Sequence, residues 1–156
     1  MSLISSLPHG YSCVAAAVLS AVFLQVWQTQ IVVAKRKKAG IQYPQVYATA
    51  EQEKASYDAL IFNCAQRAHQ NTLEALNNVY VTTIIAGLKY PIIAASVCGF
   101  WVFTRVLYTR GYITGEAKKR ITPLHYVGVL GLIGNLLAST FVVGTWAAEE
   151  FNLRLF

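Results

Sequence analysis

Arg67, Asn71, Glu74 and Asn78 follow one another at steps of four, three and four residues. On a helix turning about 100° per residue, Asn71 falls at roughly +40° from Arg67, Glu74 at roughly −20° and Asn78 at roughly +20°. Asn63 and Gln70 fall on the same side. One narrow stripe thus carries a cation, an anion and several amides. A second row, Trp101, Arg105, Tyr108 and Tyr112, also falls within about 60° on a helix. Arginine binds carboxylates bidentately. A lone glutamate receives an ammonium group, amides take peptide hydrogen bonds, and tyrosines supply hydroxyls. Together the two rows suit a small zwitterionic peptide with more than one carboxylate. The residues alone do not say which peptide.

The elements carrying these rows are apolar. The chain has 156 residues, room for a single domain over 1–156, with 55% hydrophobic and 13% charged residues. A soluble domain carries about 25% charged residues. Tyr11 to Ala34 and Pro91 to Phe103 contain no acidic or basic side chain, and Leu124 to Ala148 contains only His125. Roughly 20 apolar residues cross a bilayer core of about 30 Å. The first and last runs meet that length, and Pro91 to Tyr108 meets it with Arg105 near the interface. The first run lacks a basic n-region and exceeds the usual h-region of about 7–15 residues, so it reads as a retained span, not a cleaved leader. The net charge of +6 sits beside the runs, where basic clusters set topology and meet anionic lipid. That placement argues against nucleic acid. Cys13, Cys64 and Cys98 match no zinc or redox spacing and read as buried small apolar residues. No metal-ligand cluster is expected.

Arg67 to Lys89 is polar enough to fail on hydropathy, but charge placement makes it a span. Lys35, Arg36, Lys37 and Lys38 follow the first run, and Arg110, Lys118, Lys119 and Arg120 follow the third. Basic loops stay cytoplasmic. Both can do so only if the chain between them crosses twice, and this segment offers roughly 33 Å of helix. The expected architecture is therefore all-α: an integral membrane four-helix bundle with spans at about 11–34, 68–88, 91–108 and 123–147. Gly87 to Pro91 forms a tight far-side hairpin, and both termini lie on the far side. The loop Lys35–Asp58 is partly helical near Glu51–Leu60. Simpler roles exist for each polar row. The first could be helix-to-helix glue built on an Arg67–Glu74 pair. The second could be an aromatic interface belt. Gly128, Gly131, Gly134 and Ala138 form a small-residue stripe for close packing, with His125 and Asn135 as structural hydrogen-bonders.

The string F-N-C-A-Q-R-A-H-Q-N-T-L-E, Phe62 to Glu74, resembles the signature of the MAPEG family, the membrane-associated proteins in eicosanoid and glutathione metabolism. R-V-L-Y-T-R-G-Y-I-T-G-E-A-K-K-R, Arg105 to Arg120, resembles the same family. So do A-K-R-K-K after the first span and I-Q-Y-P-Q-V-Y-A beyond it. The resemblance implies a homotrimer in the membrane of the endoplasmic reticulum. Glutathione is then the co-substrate, bound between subunits at the cytoplasmic end, with no metal. By motif position the glutathione-binding residues are Lys35, Arg67, Ala68, His69, Gln70, Asn71, Glu74, Arg105, Tyr108, Tyr112 and Lys119. Ala75 stands where one glutathione-using relative has a tyrosine, so that contact is lost or replaced. Arg36 matches the family's proton donor. Strict spacing puts the thiol-activating cation at Lys119, and a shift of one puts it at Arg120. Arg120 is favoured because a guanidinium stays charged and hydrogen-bonds a thiolate well.

These matches imply a glutathione transferase acting on a lipophilic electrophile or a lipid hydroperoxide. A thiol of pKa near 8.5 reacts as thiolate, and a nearby cation lowers that pKa. One alternative is a non-catalytic, lipid-presenting protein of the same fold. Another is a small channel or transporter, weakened by the absence of a duplicated half or broken-helix pair.

Overall fold

Helix-stopping and helix-starting residues divide the chain. The computed structural model describes residues 7–152, and these form helices without strands. Helix α1 spans Tyr11–Ala39 and ends at Gly40, whose left-handed backbone (φ 67°) closes the last turn. The Ile41 N–H reaches the Arg36 carbonyl and the Gly40 N–H the Lys37 carbonyl, satisfying two end carbonyls. Helix α2, Ala50–Ala55, starts from a reciprocal cap. The Thr49 hydroxyl accepts from the Gln52 N–H, and the Gln52 side chain accepts from the Thr49 N–H. Helix α3 spans Tyr57–Gly87. Helix α4, Pro91–Tyr112, and α5, Pro123–Glu150, each open with a proline, which costs nothing in a first turn. A 3-10 turn, Ala117–Arg120, lies between them.

Helix α3 begins at Tyr57, well before the expected start of the second span. No glycine or proline interrupts the chain from Tyr57 to Ala86, and the early turns have their own apolar partners. Ala59, Phe62 and Ala65 pack with Val32, Ile41 and Ala48, so the end of α1 and the following loop fold onto α3. The anticipated helicity near Glu51–Leu60 resolves into α2 and the first turn of α3. The hairpin between α3 and α4 lies where expected.

Helices α1, α4 and α5 are long and apolar enough to cross a membrane. Helix α3 is longer, at 31 residues, but fails on composition because of its polar stripe. Helix α1 packs on α3 and α4, α3 on α4, and α5 on α3 and α4. Their shared core is Val14, Ala17, Ala21 and Leu24 of α1, Leu76 and Val79 of α3, and Ala95, Cys98 and Trp101 of α4. Outside, Phe23, Leu130 and Leu137 are 65–66% exposed, as suits a lipid-facing surface. Cys64 and Cys98 are buried as expected. Cys13 is exposed, because it lies on the outer face of α1 beside buried Val14.

The small-residue stripe of α5 is used in part. A Cβ at Gly128 would meet Thr104 Oγ1 at 2.9 Å and one at Gly131 would meet Val97 at 3.2 Å, whereas Gly134 has open space around it. The predicted position of the chain ends concerns residues 1–6 and 153–156, outside the described ones.

Candidate functional site

The α3 stripe and the α4 row meet at Arg105. Its side chain is 3% exposed, yet its guanidinium is well supplied with acceptors. Nε donates to Thr72 Oγ1 at 3.1 Å, and Nη2 donates to Asn71 Oδ1 at 3.0 Å and to the Ala68 carbonyl at 3.5 Å. The guanidinium carbon lies 3.8 Å from the Tyr108 ring centre and 6.0 Å from that of Trp101, within cation–π range. Asn71 is a relay. Its oxygen receives Arg105, and its Nδ2 donates to Glu74 Oε2 at 3.3 Å. Glu74 Oε1 in turn pairs with Arg67 Nη1 at 3.1 Å. The Arg67 and Glu74 side chains are 46% and 49% exposed. An ion pair that open contributes little to stability. Its two charges are available to another partner.

From Arg105 the row continues along α4. Tyr108 and Tyr112 meet edge to face at 5.7 Å between ring centres. His125, at the start of α5, stacks on Tyr108 at 5.4 Å. The Arg120 guanidinium lies 5.2 Å from the Tyr112 ring, and its Nη1 donates to the Ala117 carbonyl. Gly111 makes this arrangement possible. A Cβ there would run into the Lys119 carbonyl and reach the Arg120 Cα at 3.1 Å. Only a residue without a side chain lets the 3-10 turn lie back on α4 and lay Arg120 over Tyr112. Lys119, one residue earlier, instead pairs with Glu116 at 2.7 Å on the exposed side of the turn.

Several expected site residues are engaged elsewhere. Asn63 clamps the loop by exchanging both amide bonds with the Ala48 backbone (2.7 and 2.9 Å), and it donates to Glu53 at 2.6 Å. Gln70 accepts from the Tyr47 hydroxyl. His69 lies beside Gln25, Thr29, Gln30 and Leu73, between α1 and α3. Ala68 is buried and offers its carbonyl to Arg105. Arg36 is 7% exposed and holds the loop: Nη1 donates to the Gln45 carbonyl at 2.6 Å and Nη2 to the Val46 carbonyl at 3.4 Å. Its guanidinium sits 4.4 Å from the Tyr43 ring centre and 4.6 Å from that of Phe62. Lys35, next to it, is half-buried. Lys35, Arg36 and His69 thus stand apart from the Arg105 relay in their described contacts.

Gln28, Thr72 and Thr109, which the sequence reading passed over, form a buried hydroxyl–amide group behind Arg105. The signal for Gln28 was a glutamine within an apolar span, since polar groups at that depth face protein. Its neighbours Gln25 and Gln30 diluted that signal. His125, expected as a structural residue of α5, packs on the aromatic row through Tyr108.

The assembled site runs Arg67–Glu74–Asn71–Arg105 on one arm and Arg105–Tyr108–Tyr112–Arg120 on the other. It offers three guanidinium groups, one carboxylate, an amide and two phenols along one end of the helices. Such a set can hold an extended anionic ligand that carries one ammonium group. It can also place a further cation, Arg120, beside an acidic group farther along. A family model described as the MAPEG family matches residues 14–141 of the chain.

Proposed function

The chain belongs to the MAPEG family and is an integral membrane protein, and from that premise we propose that it is a membrane glutathione transferase that adds the glutathione thiolate to lipophilic electrophiles. The family includes glutathione transferases and leukotriene C4 synthase. Within it, the long strings at Phe62–Glu74 and Arg105–Arg120 resemble microsomal glutathione S-transferase type 3. The observation that carries the reading is the unbroken line of contacts from Arg67 to Arg120. It links Arg67, Asn71 and Glu74 of the first string to Arg105, Tyr108, Tyr112 and Arg120 of the second, while His69, Gln70 and Lys119 lie off it.

In this reading Arg67 takes a glutathione carboxylate and Glu74 takes the ammonium, each giving up part of their exposed pair. Arg105, Tyr108 and Tyr112 hold the remaining carboxylate and the peptide oxygens. Arg120 faces the sulfur. A cation there favours thiolate over thiol and so supplies nucleophile at neutral pH. The sulfur attacks an electrophilic carbon arriving from the bilayer along α1 and α5, and a thioether forms as the leaving group or ring oxygen takes the bond's electrons. An opened epoxide leaves an alkoxide that needs a proton. Arg36 is the assigned donor, and it must release a loop carbonyl to reach it. With a lipid hydroperoxide, the thiolate attacks the outer oxygen, the O–O bond breaks, and the lipid alkoxide takes a proton from water to leave as the alcohol. The glutathione sulfenic acid then condenses with a second glutathione to give the disulfide and water.

The reading includes four crossings, with α3 as the least apolar, and a homotrimer with glutathione between subunits. Half-exposed Arg67 and Glu74 support the assembly, because charges near the membrane are costly against lipid and a neighbouring subunit would cover them. The active site then lies on the cytoplasmic side of the endoplasmic reticulum membrane. Glutathione binding and conjugation of a lipophilic electrophile, measured on detergent-solubilised protein, test the function. Binding and turnover are expected. If neither occurs, the lipid-presenting alternative stands in its place. Cysteine-accessibility mapping tests the topology, and loops 40–49 and 113–121 should label from the same face.

A further inference from the structure

Gln28 lies within α1, 1% exposed, and reaches both other inner helices. Its Nε2 donates to Thr72 Oγ1 of α3 at 2.9 Å and to Thr109 Oγ1 of α4 at 2.8 Å. The threonine protons are already spent. Thr72 donates to the Ala68 carbonyl at 3.1 Å, and Thr109 donates to the Arg105 carbonyl at 2.8 Å. With the protons so placed both oxygens accept, which matches the Gln28 amide presenting its Nε2 to them. The other end, Oε1, is buried and has no partner among the described residues.

That orphan oxygen argues against simple glue. An unpaired buried carbonyl destabilises a fold, and an apolar side chain of the same length would fill the space without it. What Gln28 contributes lies at its nitrogen. Thr72 Oγ1 has two lone pairs. Gln28 fills one and Arg105 Nε, at 3.1 Å, fills the other. With its proton on Ala68 and one lone pair on Gln28, the Thr72 hydroxyl cannot rotate. Its remaining lone pair stays aimed at Arg105.

We infer that Gln28 and Thr72 are positioning residues for Arg105. They lock the Nε edge of the guanidinium, so that Nη2 is held at Asn71 and the plane stays over Tyr108. The inference rests on the proposed role of Arg105 in holding glutathione, but the locking itself can be measured without ligand.

Two readouts test it in the full-length, detergent-solubilised protein. The first is exchange protection of the Arg105 Nε–H, followed by NMR with 15N-arginine and assigned with Arg105→Lys. Protection is expected in the wild type and lost in Gln28→Met and Thr72→Val. It is kept in Thr72→Ser, which retains the hydroxyl. The second is steady-state kinetics. Gln28→Met should raise the glutathione KM roughly threefold to tenfold with kcat changed less than about twofold. Thr72→Val should match or exceed that rise, and Thr109→Val should produce a smaller one. In an Arg105→Lys background Gln28→Met should add nothing further, because its effect passes through the guanidinium. Equal KM shifts in both backgrounds, or unchanged Nε–H protection in Gln28→Met and Thr72→Val, overturn the inference. A wild type that neither binds nor conjugates glutathione sinks the proposed function alone, and the exchange measurement still decides the positioning.

Discussion

Helices α3, α4 and α5 enclose a second polar cluster, nearer the α3–α4 hairpin, that differs from the Arg105 relay in nearly every respect. There Asn135 Nδ2 reaches the Ala94 carbonyl at 3.4 Å and Thr83 Oγ1 at 3.5 Å, and Ser139 Oγ donates to the Thr82 carbonyl at 2.8 Å. Every member is neutral, and Asn135, Ser139, Thr82 and Thr83 are all buried. Neutral groups that satisfy one another inside the helices are what membrane helix packing requires. The groove beside this cluster, about 360 Å³ between α4 and α5, is lined mainly by small and aliphatic side chains. The relay at the other end also begins with a buried hydroxyl group, but it runs outward to a half-exposed Arg67–Glu74 pair. Charges left open at that level add little to the fold. The contrast separates neutral polar residues that join helices from charged ones left open at the surface, which the proposed function assigns to a ligand.

The largest expected effect is at Arg120. Arg120→Ala should return the bound thiol toward its free pKa of about 8.5, leaving about 3% thiolate at pH 7 and a turnover loss of up to ~30-fold. The sign fixes the pH profile. A raised thiol pKa costs rate below that value, so activity should recover as pH rises through it, with affinity nearly unchanged. Lys119→Ala should leave the thiolate titration as in the wild type, because Lys119 is paired with Glu116 outside the row. The reverse pattern, read from thiolate absorbance against pH, would move the role to Lys119.

Next come Arg67→Ala and Glu74→Ala, each expected to weaken glutathione binding roughly tenfold to a hundredfold, since each removes a charge-assisted bond to the ligand. Calorimetric titration checks this, and unchanged affinity in a folded variant would place this pair with the glue. Gly111→Ala should act more mildly. The added Cβ displaces the 3-10 turn and carries Arg120 off Tyr112. Turnover should fall about threefold to tenfold, with a smaller change in affinity, if overpacking costs about 1 kcal/mol or more. Smallest is Asn135→Ala at the other cluster. It should destabilise by ~0.6–1.7 kcal/mol in thermal unfolding and leave glutathione affinity unchanged. A marked loss of affinity there would break the division between the two clusters.

The sequence by itself determined the helices and the presence of both polar rows. Apolar runs, the prolines that open α4 and α5, and the glycine that ends α1 act over a few residues, so they can be read locally. The same holds for the azimuth of Arg67, Asn71 and Glu74, which follows from helical period alone. Hydropathy passes over α3 because of its polar stripe, and only charge placement makes it an expected span. Only the tertiary structure decided what each azimuth faces. Asn63 and Gln70 share the stripe, but the loop that folds over them takes their amides. Arg36 stands in a basic run and matches the family's proton donor, yet two loop carbonyls and two aromatic rings hold it. Between Lys119 and Arg120, motif spacing was ambiguous by one residue, and the close approach at Gly111 settled which of them lies on the row. Gln28 gained its place only when three helices brought Thr72, Thr109 and Arg105 around it. A period places a side chain on its own helix. What lies opposite depends on packing between segments far apart in the chain, which no local pattern encodes.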